Sequence, residues 1–357
     1  MKIAELCPYS LSVPGGVQGQ VIALARSMRR MGHDLDIIAP SDSLSGAESV
    51  RSIGRSIRVP ANGSRAPVGI SPLALARTAM MVRDGGYDVI HIHEPFAPGP
   101  SLVALAVAGV PVVGTFHRQG VTLPYRGLGW MFSGLGKRLS MRFAVSVDAM
   151  LTAKSVFGGE YQVVGNGVDL DAFENTPTWS RDNPTVFFIG RHEHRKGLEV
   201  LIRAFMEISD SDLTCWIAGD GPQTPYLQSL SSRDKRIVWL GRVTEAEGIA
   251  RMKAADVVCA PSLYGESFGV VLLEGMAAGS LVVATDIAGY RGVARDNVEA
   301  ILVPPNDIAL LRNALVRALA SDDLADAIRR NGRKRALEFS IENLAKTYLD
   351  SFATLNA

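Results

Sequence analysis

Residues 184–222, PTVFFIGRHEHRKGLEVLIRAFMEISDSDLTCWIAGDGP, decide the fold. Residues 185–189 (TVFFI) form a short β-branched and aromatic run that stops at Gly190 and a charged loop. Residues 198–208 then place apolar side chains at helical spacing, and 213–218 form a second apolar run closed by Gly219-Asp220-Gly221-Pro222. Strand, loop, helix and strand in this order make a parallel β–α–β unit. Outward from it the alternation continues. Downstream, strands are expected at 237–240, 257–260, 281–284 and 300–303, with a helix at 225–231 and a helix opening at Phe268. One long amphipathic stretch, 308–339, and a last helix, 341–355, follow. Upstream, strands are expected at 2–7, 34–39, 88–93 and 110–116, with 143–145 and 149–152 as shorter strands or strand ends. Residues 17–31 read as a helix that Gly32 ends. Between the two series, 174–184 (ENTPTWSRDNP) is polar with two prolines and reads as a linker. The expected fold is α/β, with two doubly wound parallel-sheet domains, 1–170 and 171–340, and a C-terminal helix, 341–357, packing back toward the first.

Composition sets bounds on this reading. At 357 residues, 47% hydrophobic and 20% charged, the chain can bury a core in each half. No apolar run is long enough to span a bilayer, and the N-terminus lacks the pattern of a secretory signal, so a cytoplasmic location is expected. Cys7, Cys215 and Cys259 lie in apolar runs without metal-ligand spacing and read as reduced core thiols. The net charge of +1 is unevenly spread. Residues 1–170 hold 16 Lys+Arg and 11 Asp+Glu, and the rest hold 21 and 25. A basic first half suits an anionic partner or is only solvated surface.

Four clusters carry chemistry. Pro14-Gly15-Gly16-Val17 opens a helix directly after the first strand, where bare amides accept an anion or simply make a tight turn. His93 and His117 end two strands, where open α/β sheets bind ligands. His91 and His93 share a strand face, but no third metal ligand stands beside them in sequence, so no metal site is expected. In the third cluster, Arg191 and Lys196 suit a pyrophosphate, Arg as a planar fork of donors and Lys as a point charge. The fourth cluster is Tyr264–Glu274, with Glu266 and Glu274 eight positions apart. Amides of Ser267, Phe268, Gly269 and Val270 are placed to face a phosphate at the start of a helix there. Glu266 and Glu274 are placed to accept from sugar and ribose hydroxyls. The dinucleotide fingerprint G-x-G-x-x-G is absent, which argues against a nicotinamide-dependent oxidoreductase.

These clusters, in this order, resemble the retaining glycosyltransferases of family 4, which have the GT-B fold: two Rossmann-like domains facing across a cleft. Cys7–Gln18 (CPYSLSVPGGVQ), Val59–Ser64 (VPANGS), Asp88–Pro95 (DVIHIHEP) and Pro261–Gly269 (PSLYGESFG) look like the phosphatidylinositol mannosyltransferase branch. The resemblance implies a GDP-mannose donor, a phosphatidylinositol-type lipid acceptor at the inner membrane face, and no required cofactor or divalent metal. It implies donor contacts from Gly15, Gly16, Arg191, Lys196, Gly219, Glu266, Ser267, Phe268, Gly269, Val270 and Glu274. It implies acceptor contacts from Gln18, Asn62, Ser64, Arg65, His117 and Arg118. The catalytic set it implies is His117, Arg191, Lys196 and Glu266. A peripheral monomer that binds no nucleic acid is expected. The alternatives are a soluble family 4 enzyme with another nucleotide sugar and a small acceptor, and a nucleotide-sugar-binding protein without catalysis.

Overall fold

The computed structural model describes residues 1–13, 15–42, 50–61, 64–320 and 323–355. The chain forms two compact units, one of Met1–Gly167 with Ile341–Ala357, the other of Val168–Ser340.

In the first unit β1 (Lys2–Leu6), β2 (Asp34–Ala39), β3 (Val50–Ser52), the hairpin β4 (Ile57–Ala61) and β5 (Ser64–Val68), β6 (Val89–His93), β7 (Val112–Phe116), β8 (Leu139–Ala144) and β9 (Gln162–Val163) follow in chain order. Seven of them form a parallel sheet in the order β3-β2-β1-β6-β7-β8-β9, and the hairpin stands apart as an antiparallel pair. β6 and β7 are buried along their whole length and β1 nearly so, as a sheet covered on both faces requires. The helix Gly16–Arg30 presents Val21, Leu24, Ala25 and Met28, an i, i+3, i+4, i+7 stripe, to this core. The helix Ile341–Ala353 joins the same core through Ile341, Leu344, Ala345, Tyr348, Leu349 and Phe352.

In the second unit β10 (Thr185–Ile189), β11 (Thr214–Ala218), β12 (Ile237–Gly241), β13 (Val257–Ala260), β14 (Leu281–Thr285) and β15 (Ile301–Val303) form a parallel sheet in the order β12-β11-β10-β13-β14-β15. The strand order reverses between β10 and β13, the switch point at which such sheets bind ligands.

Several local expectations need correction. Residues 149–152 are helical, inside Val147–Phe157, because Ser146 caps that helix by accepting the Ala149 N–H at 3.0 Å, with Asp148 in its first turn. The stretch 308–339 is two helices, Ile308–Leu319 and Asp323–Glu338. Residues 174–184 are no loose tether. The Trp179 N–H donates to the Ala250 carbonyl at 3.0 Å. The Arg251 guanidinium lies 4.1 Å from the Trp179 ring centre and 4.9 Å from that of Trp216. Such cation–π stacking contributes about 0.5–2 kcal/mol, so the segment is strapped to the second unit. All three cysteines are free and buried, and burial pushes the Cys7 thiol up to about 12.

The large apolar side chains of Ile341–Ala353 are each worth about 1.5–3 kcal/mol when buried, together on the order of 10 kcal/mol, as much as a typical domain's whole stability. A chain ending at Ser340 is therefore expected to lose cooperative unfolding of the first unit and to bind a hydrophobic dye. Calorimetry showing the full-length transitions in the truncated chain would contradict this.

Candidate active site

The second unit places a cluster of charged side chains at the carboxyl ends of β10 and β13. The loop after β10 carries Arg191, Glu193, Arg195 and Lys196, and the loop after β13 carries Ser262 and Glu266. The two loops are joined by a backbone bond from Leu263 N–H to the Arg195 carbonyl at 2.7 Å. Across them runs an unbroken chain of ion pairs. Arg191 Nη2 lies 3.1 Å from Glu193 Oε1, and Arg195 Nε lies 3.0 Å from Glu193 Oε2. Arg195 Nη1 and Lys196 Nζ then converge on Glu266 Oε1 at 3.2 and 2.7 Å. Ser262 Oγ donates to the same oxygen at 3.1 Å and accepts from Tyr290 OH at 2.9 Å.

The helix after this loop spans Val270–Ala278, two residues shorter at its start than expected. Gly269 sits at φ 87°, in the left-handed region that blocks helix continuation toward Phe268. No side chain caps this helix, and no acidic residue stands in its first turn. Its first amides therefore keep the partial positive charge that attracts anions. Phe268 is buried, its ring edge-on to Phe339 at 5.5 Å, so only its backbone remains for a ligand. Glu274 lies one turn into the helix. Its side chain keeps some contact with solvent, yet burial within dense surrounding protein, with Glu245 adding to it and Lys196 opposing, pushes its carboxyl up to about 7. Gly219 ends β11 at φ 114°, where a Cβ would come within 1.9 Å of the Gly190 carbonyl oxygen. Its role in the fold is close backbone approach between the loops after β10 and β11.

In the first unit Gly15 is the extended N-cap of the helix Gly16–Arg30, which again has no side-chain cap and no acidic residue in its first turn. Gln18 is buried and turned back, its Nε2 donating to the Val13 carbonyl at 3.2 Å and the Ser10 carbonyl at 3.4 Å. It holds the loop after β1 in place. Arg118 donates to the Gly120 carbonyl and Thr122 Oγ1 and lies over the Tyr125 ring at 4.5 Å. Asn62 lies outside the described residues, and of Ser64 and Arg65 only the backbone is described. His117 is buried beyond β7, with its Nε2 2.9 Å from His93 Nδ1. Its backbone N–H donates to Glu94 Oε1 at 2.7 Å.

Two residues escaped the sequence reading. Glu94 stands at φ 52°, a strained conformation for a residue with a side chain, and burial pushes its carboxyl up to about 7 against the His117 amide and Arg118. Glu5 is the third potential ligand judged missing beside His91 and His93. It pairs with His91 in the register of β1 against β6 and contacts both imidazoles. The one available signal was a carboxylate between apolar residues in the strand KIAEL.

A raised acid pKa means that the folded state holds its proton longer than the unfolded state. The associated stabilisation is complete below about 4.5 and is lost as pH rises through about 7. Relative to Glu274→Gln, the ligand-free wild type is expected to lose thermal stability between those pH values. A melting-temperature difference that stays flat over the range would remove the buried-carboxyl assignment.

The family model for glycosyl transferases group 1 matches residues 171–335, and that for glycosyltransferase family 4 matches residues 14–172. The phosphatidyl-myo-inositol mannosyltransferase of Mycobacterium leprae is 39% identical, over 92% of this chain and 92% of that protein. The enzyme of the same name from Mycolicibacterium smegmatis is 36% identical over 91% and 86%. Among solved structures, Anabaena HepE in complex with UDP and glucose superposes with a TM-score of 0.79 at 20% identity, covering 99% of this chain and 100% of that one. A glycosyltransferase from Rickettsia africae reaches 0.77 at 20%, covering 99% and 98%. With its two parallel α/β units and the switch-point loops described above, the chain belongs to the GT-B glycosyltransferases of family 4, in the group of the phosphatidyl-myo-inositol mannosyltransferases.

Proposed function

We propose that this chain transfers mannose from GDP-mannose to the inositol of phosphatidylinositol, with retention at the anomeric carbon and without a divalent metal. The observation that carries the reading is the ion-pair chain Arg191–Glu193–Arg195–Glu266–Lys196 beside the uncapped helix start at Val270. The second unit holds the donor. Arg191, Lys196 and the helix amides meet the diphosphate, Glu266 accepts from mannose hydroxyls, and Glu274 accepts from ribose hydroxyls. As the glycosidic bond breaks, positive charge grows on the sugar ring and negative charge on the departing phosphate. Fixed cations and amide dipoles stabilise the latter most in the transition state, which is what raises turnover.

The first unit supplies the acceptor side, with Gln18 and the 62–65 segment about the inositol and His117 at the reacting hydroxyl. Among the described residues no helix is long and apolar enough to cross a membrane. The helix Pro72–Asp84 carries exposed Leu73 and Met80 beside Arg77 and Arg83, and Leu123 and Met131 are exposed on the helix Leu123–Gly136. Apolar side chains flanked by arginines suit shallow insertion among anionic headgroups.

Losing Lys196 removes one fixed charge from the leaving phosphate, about 2.7–4 kcal/mol of barrier, so Lys196→Ala is expected to lower kcat by ~10²–10³ while the protein still unfolds cooperatively with a small shift in melting temperature. Turnover is read as mannosylated lipid from GDP-mannose and phosphatidylinositol. Wild-type turnover in the folded variant would remove Lys196 from this role. A preference for a UDP-sugar, or failure to sediment with anionic vesicles, would point to the soluble alternative.

A further inference from the structure

A set of buried polar groups in the central strands of the first unit converges on one carboxylate. Glu5 has no exposed surface. His91 Nδ1 lies 3.0 Å from it and His93 Nε2 2.8 Å from it. Beyond His91, Nε2 meets Thr115 Oγ1 at 2.7 Å, and Thr115 Oγ1 meets Tyr348 OH at 3.0 Å. Beyond His93, Nδ1 meets His117 Nε2 at 2.9 Å. The other ring nitrogen of His117, Nδ1, has no partner among the described residues.

Counting donors and acceptors orders this chain of contacts. Burial alone would raise the Glu5 carboxyl, but the two imidazoles outweigh it and hold it at about 2, so it is ionised. An ionised carboxylate only accepts, so both nitrogens facing it are N–H donors. His93 then carries its proton on Nε2. A second proton on the ring is opposed by burial and by His91, which leaves a lone pair on Nδ1. The His117 Nε2 facing that lone pair must be the donor. Burial, with His93 and His91 adding to it, likewise keeps His117 from taking a second proton.

We infer that Glu5, acting through His93, is a positioning residue that locks His117 in its Nε2–H tautomer and leaves Nδ1 as a hydrogen-bond acceptor for a substrate hydroxyl. The consequence for the reaction rests on the reading of His117 as the residue at the reacting hydroxyl. An ionised carboxylate orienting an imidazole through one intervening imidazole extends the carboxylate–histidine pairing by which proteins select a tautomer. Glu5, His91 and His93 also have the chemistry of metal ligands, their donor atoms lying within 4.8 Å of one another. The hydrogen-bonded reading accounts for the contacts without an added ion, since each near nitrogen already stands 2.8–3.0 Å from the carboxylate, and the metal content of the purified protein is an outcome of the test.

The test uses the full chain labelled with ¹⁵N-histidine. Long-range ¹H–¹⁵N spectra at neutral pH are expected to show His117 protonated at Nε2 and bare at Nδ1, as one tautomer. Glu5→Gln removes the charge that fixes the protons on both imidazoles and turns one oxygen into an NH2 donor, which can face His93 Nε2 only if that nitrogen gives up its proton. His117 is then expected to report a tautomer mixture, with kcat lowered about 10–100-fold, the size of comparable outer-sphere losses, and KM for the donor little changed. A wild-type His117 protonated at Nδ1 would overturn the inference, as would a stoichiometric metal ion in the purified protein. So would a Glu5→Gln protein with unaltered tautomer and kcat. If Glu5→Gln does not fold, the wild-type spectrum and the metal content alone decide. Wild-type turnover in His117→Ala would overturn the role given to His117 in catalysis, separately from the tautomer.

Discussion

A parallel strand covered by helices on both faces leaves room for polar side chains only beyond its ends, and the crevice that can take a ligand opens at the carboxyl ends. That constraint organises both units. Along β13 and β14 every residue is buried and nearly all are apolar, and the charged groups begin in the loops that follow. In the second unit this concentrates Arg191, Arg195, Lys196 and Glu266 on two loops flanking the switch point between β10 and β13. The first unit breaks the rule in its central strands, at Glu5, His91, His93 and Thr115, and each exception is answered by another. An unpaired carboxylate at that depth would be prohibitively costly, and the network exists because its members satisfy one another.

The ion pairs of the second unit have a different standing. Arg191, Arg195, Lys196 and Glu266 keep side-chain exposures of 44%, 20%, 19% and 13%, so their mutual attraction is partly screened and adds modestly to stability. What the arrangement provides is preorganisation. Glu193 and Glu266 hold three cations in a fixed array next to uncapped helix amides, so a diphosphate meets charges that need little reordering. Glu274 adds a contrasting element one helical turn away, since a carboxyl poised near neutrality changes from donor to acceptor at small cost.

Sequence alone disclosed the elements whose signals are local. The apolar runs at 185–189 and 257–260 match β10 and β13 residue for residue, because a strand buried on both faces is written as continuous apolar sequence. The charged loop at 191–197 was legible for the complementary reason, as polarity bounded by apolar runs. Residues 149–152 misled because a short apolar stretch suits strand or helix equally, and the Ser146 cap that decides it is one hydrogen bond. The short β3 and the β4–β5 hairpin carry too little apolar periodicity to stand out. Glu5 was hidden by distance. Its partners lie 86 and 88 residues away and are brought to it only by the register of β1 with β6.

The last helix gives the buried network its surroundings. Tyr348 closes the Thr115 branch through its hydroxyl, while its ring and that of Phe352 pack against His91 at 4.7 and 5.6 Å. The two aromatic rings, one tilted and one edge-on against the imidazole, exclude water and lower the local dielectric, which strengthens every hydrogen bond that Glu5 accepts and raises the cost of losing any one of them. The tautomer at His117 is therefore secured from two ends of the chain. Glu5 in the first strand supplies the charge that sets the direction of the protons, and residues 348 and 352 supply the apolar enclosure in which that direction is worth enough to persist. A helix that read in sequence only as an amphipathic terminus is in this way part of what holds a histidine at the carboxyl edge of β7 in one protonation state.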